Sequence, residues 1–207
     1  MQLQFNCDVL ERTDEKVGAL EHIVLNRETL EVVYLVVQPA EMEMDEVLVP
    51  FGSVEWADDM IVQLAIGKEA FEGLKPFETY YNVAPPPETE PPEEPGVPLV
   101  PAEPPVGAAT GIESIAYTPI LEENINISAS DVVVDYTTVA YATDGEVGKL
   151  KRVDANDETK RVMAFVVEAD RIVEHDLDVP IDVVSNITQE AITLSARKSD
   201  LQEIVDV

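Results

Sequence analysis

The phrase TDEKVGAL at 13–20 returns as TDGEVGKL at 143–150, an offset of 130 positions. The match extends at that offset. Asn26, Glu28 and Thr29 meet Asn156, Glu158 and Thr159, and Val32, Val36 and Val37 meet Val162, Val166 and Val167. Val49-Pro50, Val54, Leu64 and Lys68 meet Val179-Pro180, Val184, Leu194 and Lys198. Between 9–77 and 139–207, 17 of 69 positions are identical, and others trade like for like, as Leu35 with Phe165 and Val62 with Ile192. A register held that long without a gap marks a tandem duplication. It also constrains the fold, because a copy of about 70 residues closes only a small core and leaves much of its surface exposed.

Within each copy the pattern is that of strands. VGALEHIVLN at 17–26 places Val17, Ala19, Ile23 and Leu25 on one face, although Glu21 breaks the alternation. RETLE then turns the chain into VVYLVV, rich in β-branched and aromatic residues. VGKLKRVDAN, DETKR and VMAFVV repeat the order, so an N-x-E-T turn joins an antiparallel hairpin in both copies. A polar stretch, EMEMDE or RIVEHD, leads to a short strand ending at Pro50 or Pro180, where a missing N–H is tolerated. A last strand, IVQLAIG or AITLSAR, precedes a helical tail. There Ala70, Phe71 and Leu74 correspond to Leu201 and Ile204 as a cap over a barrel mouth. The fold class expected is all-β: two small β-barrels, each with a short C-terminal helix, joined by a Pro-rich linker.

That linker lies at 84–107, with ten prolines and no lysine or arginine. Neither helix nor central strand suits it, and its glutamates extend it further, so it reads as a passive spacer that argues against a rigid pair, while whether the barrels pack on each other stays open. Its P-x-x-P spacings follow from proline density alone. The expected division is 1–80 for the first barrel, 81–111 for the Pro/Glu-rich linker and 112–207 for the second barrel with its lead-in.

The order T-D-x-x-V-G-x-L, N-x-E-T, V-x-x-x-V-V and V-P-x-x-x-V, written twice, resembles the PRC-barrel. That domain occurs in the soluble part of the photosynthetic reaction centre H subunit and resembles the C-terminal domain of a bacterial ribosome maturation factor. The resemblance covers both copies and none of the linker. Its signature positions have structural readings. Asp14 and Asp144 precede a tight turn, and the D-G turn at Asp144-Gly145 has Asp14-Glu15 in its place in the first copy, a turn that does not need positive φ at Glu15. Gly18 and Gly148 mark a bulge or a close crossing.

Composition narrows the function. The chain has 207 residues and a formal net charge of −29, with 17 acids and 5 bases over 1–78, 8 acids and no base over 79–130, and 17 acids and 8 bases over 131–207. No segment is basic, so direct nucleic-acid binding lacks its main driving force. The single cysteine, Cys7, forms no intrachain disulfide and suits a reducing compartment. No basic and apolar leader opens the sequence, and VVYLVV is too short to span a bilayer. A cytoplasmic protein is expected.

Chemistry-bearing residues are few. His22 and His175 occupy different positions in the two copies, and both read as solvated, His22 on a strand facing solvent or the linker, His175 in a polar turn. EMEMDE at 41–46 and DANDE at 154–158 lack calcium-loop spacing, and their counterparts do not keep the carboxylates, so a solvated face outweighs a cation site. Asp8 beside Cys7 disfavours a thiolate. Trp56 reads as partly packed in the core, with an interface anchor as the alternative. No catalytic, cofactor-binding or metal residue is assigned, and no cofactor.

The resemblance therefore implies a non-enzymatic protein–protein interaction or assembly module with a protein partner. One alternative is a soluble-side accessory subunit of a photosynthetic or electron-transfer membrane complex, associated peripherally, since the H subunit's membrane helix has no counterpart in this sequence. Another is a ribosome-assembly accessory factor, although the maturation factor's N-terminal domain is replaced here by another barrel.

Overall fold

The computed structural model describes residues 1–41, 45–83, 120–169 and 176–205. The proline-rich segment, His175 and the centre of EMEMDE lie outside them. The first half comprises β1 (Gln2–Gln4), β2 (Asp8–Leu10), β3 (Lys16–Asn26), β4 (Val32–Pro39), β5 (Val47–Pro50), β6 (Val54–Ala57), β7 (Ile61–Leu64), α1 (Lys68–Glu72) and β8 (Glu78–Val83). The second comprises β9 (Ile120–Ile125), β10 (Asp131–Val134), β11 (Val139–Ala142), β12 (Gly145–Ala155), β13 (Val162–Ala169), β14 (Leu177–Pro180), β15 (Val184–Ile187), β16 (Ala191–Leu194) and α2 (Lys198–Val205). Among the described residues no helix is long and apolar enough to cross a membrane.

The structure is all-β, and its two seven-stranded sheets share one order, β5-β4-β3-β2-β7-β6 and β14-β13-β12-β11-β16-β15. In both, one parallel contact, β2 with β7 or β11 with β16, interrupts antiparallel ladders. The ends of each path are consecutive in the chain. Pro50 and Pro180 stop β5 and β14, and a single 3-10 turn, Phe51–Ser53 or Ile181–Val183, leads into β6 or β15. Each sheet thus curls into a small barrel-like unit followed by a short helix. Phe71 and Leu201 bury against the core, whereas Ala70 is exposed.

The seventh strand of each sheet comes from the other half. β1 pairs antiparallel with β12, Leu3 opposite Val153, while β10 pairs with β3, Val133 opposite Val24. Leu3, Val132 and Val134 enter one continuous core with Leu20, Ile23, Leu150 and Phe165. The two halves therefore pack together, a point the sequence left open and the spacer argued against. The described residues of 1–79 and 125–207 form one compact unit, apart from those of 80–83 and 120–124. β8 and β9 make a two-stranded sheet of their own.

Local rules explain the details. Asn26 Oδ1 accepts from the N–H groups of Glu28 and Thr29 at 3.1 and 3.0 Å, and Asn156 Oδ1 from those of Glu158 and Thr159 at 3.0 and 2.8 Å. Both turns close with a left-handed residue, Leu30 at φ 58° and Lys160 at φ 61°. The broken alternation at Glu21 is a β-bulge: the ladder steps from Leu20–Val37 to His22–Val36, and Lys151 is skipped in the same way. A bulge shifts the phase of the strand, so Leu20 rather than Ala19 joins Ile23 and Leu25 in the core.

The duplication also carries a one-residue difference that an ungapped comparison hides. Val9 faces Gly18 and Val62, but the residue facing Gly148 and Ile192 is Ala140, not Val139. The first β2–β3 turn is longer by that residue. It places the left-handed conformation on Asp14, at φ 67°, where the second copy uses Gly145, at φ 133°.

Gly18 allows the close crossing of β3 and β4. A Cβ there overlaps the Gln38 carbonyl oxygen and comes within 2.7 Å of Val37 Cγ1. Gly18→Ala is therefore expected to destabilise the protein by about 1–3 kcal/mol, the usual cost of overpacking. Urea denaturation checks this; a change below about 0.5 kcal/mol contradicts the close crossing.

Candidate functional site

The hairpin of β6 and β7 presents the largest apolar side chain at the surface. Trp56 is 42% exposed and Met60 71% exposed. Trp56 was expected to pack partly in the core. The ladder moves from Val54–Leu64 to Trp56–Gln63 across a bulge at Glu55, and this turns Trp56 outward with Glu55 while Val54 stays buried. Asp58 holds the turn: its Oδ1 accepts from the N–H groups of Met60 and Ile61, both at 2.9 Å. The result is a fixed turn with an indole and a thioether facing water, flanked by Glu55, Asp58 and Asp59.

The second half builds the same turn with different chemistry. Asn186 opposite Thr193 takes the place of Trp56 opposite Gln63, and Glu190 takes that of Met60. Thr188 Oγ1 accepts from Ala191 N at 3.0 Å, as Asp58 caps its own turn. One scaffold thus carries an apolar knob in the first copy and a polar turn in the second.

His22 is not simply solvated. Its Nδ1 lies 3.3 Å from Asp135 Oδ2 and its Nε2 lies 3.7 Å from Glu46 Oε2, and the ring stacks on Phe77 with centroids 5.8 Å apart. Nδ1 is buried and is not aligned for a hydrogen bond with Asp135. Because Asp135 follows the exchanged strand β10, the contact spans the two halves. Burial pushes the Glu46 carboxyl above its ordinary range; His22 pulls it down, and Glu21 and Glu78 push it up. His22 aligns in sequence with Arg152, whose Nε donates to Asp154 Oδ1 at 2.8 Å beside β1, so a basic side chain occupies the matching position in both halves.

The other candidates are placed as follows. Asp154 of DANDE is bound to Arg152, and Asn156 holds the turn. Among the described residues no three His, Cys, Asp or Glu side chains gather as a metal-binding group. A shallow groove enclosing about 30 Å³, open to solvent, lies where Val17 and Phe71 meet Lys16, Glu41, Lys68 and Glu72. That is far below the size of ligand sites, and Lys68 is already paired with Glu41 at 3.3 Å. The sequence reading missed the His22 contact because Asp135 is 113 positions away, beyond the reach of any local pattern.

Cys7 is buried, and burial pushes its thiol up from 9.0 to about 12. Three pKa units reduce the thiolate population about a thousandfold. Alkylation by iodoacetamide at neutral pH is expected to proceed only as the protein unfolds; labelling at the rate of a free thiol contradicts this. A raised thiol pKa leaves neutral stability untouched and removes stability as pH rises from 9.0 toward 12. For Glu46 the sign is similar. Its raised pKa makes ionisation oppose folding, so stability relative to Glu46→Gln falls as pH rises from 4.5 toward neutrality. Urea titrations across that range check it, and a constant difference contradicts it.

Residues 5–69 match the family model of the PRC-barrel domain. The match spans β2 to the start of α1, and so leaves out the strand β10 that completes that sheet. No curated protein matches the chain.

Proposed function

We propose that this chain is a non-enzymatic interaction module that docks a protein partner through the β6–β7 hairpin of its first barrel. The observation that carries the reading is a coincidence of place. The segment that matches the PRC-barrel domain is also the one whose hairpin exposes Trp56 and Met60, where the second copy has Asn186 and Glu190. Tryptophan is enriched among residues that dominate binding energy, and methionine adapts to irregular apolar sockets. Glu55, Asp58 and Asp59 rim the knob, so the complementary surface is an apolar socket with a basic rim. A net charge of −29 favours encounter with such a partner.

The second half is read as another PRC-barrel-like copy by descent, giving divisions at 1–80, 81–111 and 112–207, with a scaffolding role. The buried, unactivated Cys7 suits a reducing cytoplasm. An accessory role in a photosynthetic or electron-transfer complex, or in ribosome assembly, differs from this reading only in which partner the hairpin meets.

Affinity capture from native lysate with the full chain and with Trp56→Ala tests the reading. The substitution is expected to leave stability within about 0.5 kcal/mol, because the side chain is exposed. It is expected to weaken capture of a defined partner by at least tenfold. Rising salt is expected to weaken the same partner's binding progressively. A partner captured equally by both proteins places the interface elsewhere.

A further inference from the structure

The two exchanged strands end differently where they meet the opposite sheet. The register that sets Val134 opposite Ile23 brings Asp135 beside His22, and the matching register sets Gln4 opposite Arg152. A basic residue of the long strand therefore meets the end of the incoming strand in both halves. In the second half that end is uncharged, and the Arg152 guanidinium turns to Asp154 of its own strand, Nε to Oδ1 at 2.8 Å and Nη2 to Oδ2 at 3.1 Å. In the first half the end is a carboxylate held in place. Asp135 Oδ1 accepts from the N–H groups of Thr137 and Thr138 at 2.7 and 3.1 Å, which closes the turn into β11 and leaves Oδ2 3.3 Å from His22 Nδ1.

The other side of the ring is also flanked by a carboxylate. His22 Nε2 lies 3.7 Å from Glu46 Oε2, and Phe77 stacks on the imidazole. Glu21 on the same strand and Glu78 at the start of β8 add negative charge around Glu46. A neutral imidazole has one N–H and one lone pair, so one of the two carboxylates stands beside a lone pair and is repelled. The imidazolium carries N–H on both nitrogens and attracts both carboxylates. The side chains of His22, Asp135 and Glu46 are only 24, 17 and 27% exposed, so water screens this attraction in part.

We propose that His22 is a pH-sensitive latch on the exchanged strand β10. Protonated, it ties Asp135 at the end of that strand to Glu46 beside β5. On losing its proton it leaves the carboxylates clustered without a counter-charge, and β10 opens from β3 more often. Histidine is the side chain type that changes charge between about pH 5 and pH 8, so docking of β10 weakens as pH rises through that range. The guanidinium at the matching position of the second half keeps its charge throughout, so only one of the two exchanged strands responds. None of these groups belongs to the β6–β7 hairpin, and the latch stands apart from the docking role given to it.

Amide hydrogen exchange of the full chain, corrected for the intrinsic pH dependence of exchange, tests the latch by comparing opening at Asp131–Val134 with opening at Gln2–Gln4. Between about pH 5.5 and about pH 8 the opening of β10 relative to β1 is expected to rise about three- to tenfold, the range of a partly buried charge pair. His22→Gln is expected to leave β10 equally open at both ends of that range, and His22→Arg equally closed. Asp135→Asn keeps the oxygen that caps the turn and is expected to remove most of the change. Substitution of the other histidine, His175→Gln, is expected to leave the change intact. A wild-type ratio that does not move with pH overturns the proposal, as does a His22→Gln protein that responds like the wild type or a response lost in His175→Gln. Where His22→Gln does not fold, His22→Arg decides: a ratio independent of pH supports the latch, and the wild-type response overturns it.

Discussion

The structure depends on the exchange of one strand in each direction. β3 and β12 are the longest strands, of 11 residues each, and each needs a neighbour on the side away from β4 or β13 beyond the reach of short β2 or β11. Left open, such an edge exposes unpaired N–H and C=O groups and invites unwanted pairing. β10 covers it in the first sheet and β1 in the second. The apolar residues they bring in, Leu3, Val132 and Val134, are buried, and each contributes about 1.5–3 kcal/mol by removal from water. Neither barrel is complete on its own stretch of sequence.

This dependence separates conserved scaffold from divergent surface within one molecule. Both copies keep the bulge, the Asn-capped turn, the Val-Pro strand end and the buried helix residue. Their outer faces differ. Val24, Val36, Leu48 and Phe77 form a second apolar cluster on the first sheet, together with Val133 of the exchanged strand β10. At the aligned positions of the second half, Asp154 and Asp178 replace Val24 and Leu48. The same contrast separates Trp56 and Met60 from Asn186 and Glu190.

Much of the fold was legible in the sequence, since strands, turns and prolines act locally. The N-x-E-T turn announces itself by an asparagine oxygen within reach of two N–H groups, and Pro50 and Pro180 end their strands through a missing donor. Glu21 was visible as a broken alternation, but the shift of phase that puts Leu20 in the core appears only once β4 is paired. The exchange was not legible, because QLQ and DVVV are three- and four-residue strands whose partners lie far along the chain. The candidate site was less legible still. Trp56 turns outward because of a bulge in a ladder, and His22 meets Asp135 only because β10 crosses to the first sheet.

Fusion changes what the duplicated interface does. Two separate copies joined by the same contacts would be stable only to the extent that their concentration allows, since association of folded partners follows mass action. Joining them through the segment between β8 and β9 makes the pairing intramolecular, so it no longer depends on concentration. Fusion also removes the demand for symmetry. In a dimer of identical chains a residue on the axis must tolerate itself, and a charge there repels its copy. In one chain the two positions mutate independently, and Glu31 stands opposite Arg161, an arrangement that two identical chains could not make. The same freedom allows one barrel alone to carry an exposed tryptophan, so the asymmetry of the surface and the asymmetry of the seam have a common origin.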